Sequence, residues 1–217
     1  MIDVVIAGVG GQGTVLSAKV LAVAAASRGW NVRTAETIGM AQRGGSVVSH
    51  VRMANDGEEI HSPMVAKGTA DLIIAFEPGE AARSLPYLSR TGTIVMATTP
   101  IEPVSATLSV AAYSVQEMVD GIQLALYNAM IRNLSHDNGE GPNQARLFTV
   151  NDMALTNALG GNRKVLNSVM LAEAALTGSL PFTEEELCQA TAACVKPQYI
   201  EMNIEAIHTA MAFKASV

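Results

Sequence analysis

Asp3-Val4-Val5-Ile6-Ala7-Gly8-Val9-Gly10-Gly11-Gln12-Gly13 is the stretch on which the architecture turns. A short β-branched, apolar run meets a glycine cluster, and a helix-length segment follows from about Thr14 to Arg28, so the order reads strand, tight turn, helix. Gly8 to Gly13 satisfies G-x-G-x-x-G in the context that gives the pattern meaning, directly after a strand and before a helix. Glycine lets the backbone turn sharply and approach a phosphate, and free N–H groups at the helix start offer partial positive charge to an anion. Gly8, Gly10, Gly11, Gln12 and Gly13 are therefore candidate ligand contacts. A turn that needs glycine for packing alone is the alternative.

Working outward, Asn31 to Ala35 and Ser46 to Met53 read as further strands, the second alternating through Val47, Ser49 and Val51. Asp71 to Phe76 is a continuous apolar strand running into Pro78-Gly79, followed by a helix through about Leu88, and Thr93 to Ala97 repeats the strand pattern. Beyond the loop Pro100 to Pro103, a short strand is expected near Ser109 to Tyr113 and a helix from about Val115 to Asn133. The polar stretch Ser135 to Gln144 carries turn residues and reads as a surface loop. From Arg146 come one brief strand and helices at about Lys164 to Thr177, Thr183 to Ala193 and Gln198 to Phe213, with Thr183 and Glu186 forming a capping box. The fold class is α/β and Rossmann-like: a mostly parallel sheet with helices on both faces, and a C-terminal region that is helical from about residue 150. One domain over residues 1–217 suffices.

Glu36 lies near the place, roughly 20 residues beyond the glycine turn, where a dinucleotide-binding fold puts an acid on the ribose. It opens a second constellation, Glu36-Thr37-Ile38-Gly39-Met40-Ala41-Gln42-Arg43-Gly44-Gly45-Ser46, glycine-rich where an ordinary unit of this kind has a crossover helix. Gly44-Gly45 permits positive φ and the Arg43 guanidinium can fork onto a phosphate or carboxylate. Glu36, Arg43, Gly44, Gly45 and Ser46 are thus candidates to close over the glycine turn or to lock onto a partner chain. The alternative is a hairpin turn with Arg43 in water.

Composition narrows the classes. Charged residues make up only 16% and apolar ones 49%, against a usual charged share of about 25%; a large partner interface explains the deficit, as does a sheet buried on both faces. With a net charge of −6 and no Lys/Arg run, no nucleic-acid surface is indicated. Hydrophobic stretches such as Val20 to Ala26 are too short to span a bilayer, so a cytoplasmic location without membrane attachment is expected. Cys188 and Cys194 share an expected helix and stand about 240° apart around its axis, which matches no zinc or iron–sulfur spacing. His50, His61, His136 and His208 are scattered and suggest no metal site or triad; no metal ligands and no catalytic residues are assigned to the chain.

GVGGQG followed by ETIGMAQRGGSVVSHVR resembles the gamma-domain family of pyruvate and other 2-oxoacid:ferredoxin oxidoreductases. The resemblance continues through Ser62-Pro63, through Asp71 to Pro78, and more thinly through Asn167 and the C-terminal helices; its nearest form is the separate small subunit of the indolepyruvate-type enzymes. It implies a non-autonomous oxidoreductase subunit. A larger partner subunit would carry thiamine diphosphate and iron–sulfur clusters, decarboxylate the 2-oxoacid and pass electrons to ferredoxin, while coenzyme A takes the acyl group. On this chain it implies a ligand or interface role for Gly8, Gly10, Gly11, Gln12 and Gly13 and for Arg43, Gly44, Gly45 and Ser46, with coenzyme A as the contact to expect. The sequence agrees in lacking a four-cysteine motif and a GDG-type thiamine-diphosphate signature. Two other readings stay open: a stand-alone NAD-type dehydrogenase, and an interaction module that keeps the fold without a ligand. The helical end, with Met153, Leu155, Met170, Leu171 and Leu176, could also support a homodimer of the isolated chain, although such stripes commonly build a core.

Overall fold

The opening apolar run forms strand β1 (Ile2–Val9), and the segment after the glycine turn forms helix α1 (Thr14–Ser27). The structure is a computed structural model and describes residues 1–39, 45–55, 57–101, 114–135 and 144–213. Strands β2 (Asn31–Ile38), β3 (Ser46–Ala54), β4 (Ala70–Ala75), β5 (Leu88–Ala97) and β6 (Arg146–Val150) complete one sheet in the order β2-β3-β1-β4-β5-β6. Helices α2 (Pro78–Ser84), α3 (Val115–Ser135), α4 (Asp152–Ala158), α5 (Leu166–Leu176), α6 (Glu184–Cys194) and α7 (Ile200–Ala212) cover it.

Alternation along the central strands decides which helices cover which face. Val4, Ile6, Leu72, Ile74 and Val95 point to one side and pack with α1, α5, α6 and α7; Val5, Ile73, Ala75, Ile94 and Met96 point to the other and pack with Ala81 of α2 and Ile122 of α3. With both faces covered, the strands need apolar residues at every position, which is why β1 and β4 read as unbroken apolar runs.

The sheet departs from the Rossmann order at one place. β1, β4, β5 and β6 are parallel neighbours, but β3 is antiparallel to β1 and to β2, and it lies between them. The sequence between Ile38 and Ser46 therefore joins two antiparallel neighbours, β2 and β3, rather than crossing over to a parallel strand.

Three other expectations change. The helix expected through Leu88 ends at Ser84, because Pro86 has no N–H for the Ala82 carbonyl, and a short 3₁₀ turn then leads into β5 at Leu88. Helix α4 was not anticipated; its seven residues are too few for a periodic signal, and the Asn151 side chain capping the Ala154 amide at 3.0 Å is the feature that announces it. Helix α5 begins at Leu166 behind a 3₁₀ turn over Arg163–Val165. The strand expected at 109–113 and most of the polar loop 135–144 lie outside the described residues. The capping box forms as expected, with Thr183 and Glu186 each receiving the other's backbone N–H.

Candidate functional site at the carboxyl edge of the sheet

In open α/β sheets, ligands and partners collect where the parallel strands end. Here that edge is built from the glycine turn, the hairpin tip and the segment after β4. Gly8 pairs with Val47, and Val9 with Ser46, so β1 and the hairpin reach the edge in register.

Gln12 holds the turn together. Its Oε1 accepts from the Val9 amide at 2.6 Å and its Nε2 donates to the Phe76 carbonyl at 2.9 Å, joining the ends of β1 and β4. Both functions of the amide are used inside the fold. A Cβ on Gly8 would lie 2.8 Å from Thr14 and 2.9 Å from Gln12 Oε1, so only glycine lets that staple seat. Gly13 caps α1 with φ +91°, and a Cβ there would also meet Asn167 at 3.2 Å. No side chain caps α1, so the first-turn amides beside exposed Gly11 keep the chemistry of an anion acceptor.

The second constellation reaches the first. The Gly10 amide donates to the Gly45 carbonyl at 2.9 Å, and the Gly39 amide donates to the Ser46 carbonyl at 2.8 Å. Gly45 is thereby joined to the glycine turn. Ser46 Oγ donates to Glu80 Oε2 at 2.6 Å, and Arg83 pairs with the other oxygen of the same buried carboxylate. Glu77 closes the start of α2, its Oε1 accepting from the Glu80 amide at 2.7 Å. Arg43 and Gly44 lie outside the described residues. Glu36 is exposed on β2 opposite Ser49, and β3 separates it from β1, one strand further out than an acid beside the glycine turn would be.

A second cluster sits at the ends of β5 and β6. Asp152 is fully buried; its Oδ1 accepts from the amide and hydroxyl of Thr99, both at 2.9 Å, and its Oδ2 pairs with Arg163 at 3.0 Å. Around both clusters the edge exposes large apolar residues: Val15 is 46% exposed, Ile38 67% and Met153 50%. Leu155, Met170 and Leu171 are core, whereas Leu176 faces out. No helix among the described residues is long and apolar enough to cross a membrane.

Two of the histidines have carboxylate neighbours. His61 lies 3.9 Å from Glu59 and His208 bonds Glu184, all on the surface. His50 is buried against Tyr87, away from the edge, and desolvation holds its ring below the usual histidine range. Among the described residues no group of three or more His, Cys, Asp or Glu could hold a metal. Neither cysteine forms a disulfide.

This arrangement is a glycine turn bonded to Gly45, with an uncapped helix start beside it and exposed apolar residues around it. The model of the pyruvate ferredoxin/flavodoxin oxidoreductase family matches residues 3–213, and the chain belongs to that family. It is 32% identical over 204 residues to the indolepyruvate oxidoreductase subunit IorB of Thermococcus kodakarensis, covering 94% of this chain and 91% of that protein. The same subunit of Archaeoglobus fulgidus is 32% identical over 208 residues, 95% of this chain and 92% of the relative. Among solved structures, the gamma subunit of a keto/oxoacid ferredoxin oxidoreductase from Geobacter sulfurreducens superposes with a TM-score of 0.61 at 19% identity, over 98% of this chain and 97% of that one. The 2-oxoglutarate:ferredoxin oxidoreductase from Magnetococcus marinus, solved with 2-oxoglutarate, coenzyme A and succinyl-CoA bound, superposes with a TM-score of 0.66 at 18% identity. That match covers all of this chain and 31% of the larger one. The fold is thus that of the small subunit or domain of these oxidoreductases.

Proposed function

We propose that the chain is the non-autonomous small subunit of a 2-oxoacid:ferredoxin oxidoreductase, one that takes an indolepyruvate-like acid. The observation that carries this is the end-to-end match to the indolepyruvate subunits, over more than nine-tenths of both chains. Thiamine diphosphate and the iron–sulfur clusters belong to a larger partner, which decarboxylates the acid and hands electrons to ferredoxin. Two cysteines fall short of the four thiolates a cluster takes.

This chain's part is positional. The uncapped first turn of α1, beside Gly11 and Gly13, suits a phosphate of coenzyme A, and Arg43, in the sequence that joins β2 to β3, would supply a cation there. Val15, Ile38 and Met153 form the apolar contact to the partner. The dehydrogenase alternative is the weaker, because β3 holds Glu36 away from the turn.

The test is anaerobic affinity purification from the native extract, with mass identification of what co-purifies and an assay of 2-oxoacid-dependent viologen reduction. Recovery of a larger thiamine-diphosphate, iron–sulfur protein with that activity is expected; the chain recovered alone and active with a nicotinamide cofactor would overturn the reading. In the recovered complex, Arg43→Ala should raise the KM for coenzyme A or weaken subunit affinity, and unchanged values for both would leave Arg43 as a solvated hairpin residue.

A further inference from the structure

On the sheet face covered by α1, α5, α6 and α7 lies a cavity of about 350 Å³, within the range of small-molecule sites. Leu16 of α1, Cys194 at the end of α6, and Tyr199 and Met202 at the start of α7 give it a largely apolar wall. Lys164 and Lys196 complete the lining.

The charge around this cavity is out of keeping with the chain. The protein is acidic, with a net charge of −6 and only five lysines: Lys19, Lys67, Lys164, Lys196 and Lys214. Two of the five, Lys164 and Lys196, line it, and Lys19 acts on the Cys194 thiol. Lys164 Nζ stands 6.0 Å from the centre of the Tyr199 ring. The Tyr199 phenol is lowered first by its bond to Gln198 and then by Lys164 and Lys196, and the Cys194 thiol, raised by burial, feels Lys19 in the opposite direction. None of the three lysines has a carboxylate within ion-pair distance among the described residues. Asn203 keeps the wall rigid, its Oδ1 accepting from Ser168 at 2.8 Å and its Nδ2 donating to the Tyr199 carbonyl at 2.7 Å. Unpaired ammonium groups at the mouth of an apolar cavity favour a ligand that brings its own negative charge and an apolar body.

We infer that this cavity is a binding site for a small aromatic carboxylate, its ring system against Leu16, Tyr199 and Met202 and its carboxylate between Lys164 and Lys196. The site is separate from the hairpin and glycine-turn contacts, and it stands whether or not the oxidoreductase reading holds.

Cys194 reports on occupancy, because it lines the cavity and is half-buried, while Cys188 on the same helix is buried and serves as an internal monitor of folding. The purified 217-residue chain is alkylated with iodoacetamide in the presence of 1-naphthylacetate or its neutral counterpart 2-(1-naphthyl)ethanol, and each cysteine is followed by mass spectrometry. At ligand ten times above Kd, 1-naphthylacetate should slow Cys194 alkylation about tenfold, in proportion to the unoccupied fraction, with Cys188 unaffected. The alcohol should protect far less, and the Lys164→Gln/Lys196→Gln double variant should lose protection by the acid. No protection by millimolar acid, equal protection by the alcohol, or undiminished protection in the double variant would each overturn the assignment.

Discussion

Gln12 reaches across two strands to Phe76: its Nε2 donates to the Phe76 carbonyl at 2.9 Å while its Oε1 holds the Val9 amide at 2.6 Å. Gln12, one of the candidate ligand contacts of the glycine motif, thus uses both ends of its amide to join β1 to β4. Gln12→Ala would leave a backbone donor and a backbone acceptor without partners, at a cost of about 1–3 kcal/mol. Urea unfolding of the purified chain measures this directly; a midpoint equal to wild type would show that water replaces the staple without penalty.

The two left-handed glycines of the turn should separate by their surroundings. Gly11 has φ +94° with nothing within 4 Å of an added Cβ, whereas Gly13 has φ +91° and Asn167 at 3.2 Å. Gly11→Ala should cost about 1–2 kcal/mol from backbone strain alone, and Gly13→Ala should cost more, because α5 must also shift. Thermal melts of the two variants check the ranking.

Glu173 on α5 makes folding depend on pH in an unusual direction. Burial pushes its carboxyl up to about 7 from an ordinary 4.5, so the folded protein keeps the proton longer than the unfolded chain does. The stability tied to that proton is whole below about 4.5, is lost as pH rises toward 7, and is flat above. Glu173→Gln should therefore stabilise the protein by about 1–3 kcal/mol at pH 8 and change little at pH 4.5, as calorimetry at the two values would show.

Two groups act in the opposite sense at lower pH. His50 is held neutral by desolvation, so the stability that depends on its neutral form is present above its unfolded value near 6.5 and falls as pH drops below it. Glu186, bonded by the Arg28 guanidinium and lowered to about 2, loses its contribution as pH falls from 4.5 to about 2. A stability profile of wild type against His50→Gln should show the loss just below pH 6.5 flattened in the variant. The same comparison with Arg28→Met should flatten the limb below pH 4.5.

Much of the frame was legible because it rests on local pattern. The β1 run, the turn at Gly8–Gly13 and the Thr183/Glu186 cap each lie within a few residues of sequence. What escaped reading depends on partners far apart in the chain. Ser46 to Met53 alternates as a strand should, yet nothing local says that it inserts antiparallel between β1 and β2. Gln12 finds its carbonyl 64 residues away, and Lys164 meets Tyr199 only after α5 and α6 have folded back. The apolar stripe of the C-terminal helices was read without its depth: Leu155 and Met170 went inside, and Met153 and Leu176 stayed out.

The insertion of β3 separates address from message. The ends of β2 and β3 are held beside the glycine turn by continuous backbone ladders, Gly8 to Val47 on one side and Ile38 to Val47 on the other, and backbone ladders are indifferent to which side chains the sequence between them carries. Gly39 and Gly45, at the two ends of the β2–β3 connection, therefore hold their places whatever residues the sequence carries between them. A lineage with this fold can rewrite the sequence between those ends while the rest of the sheet stays as it is.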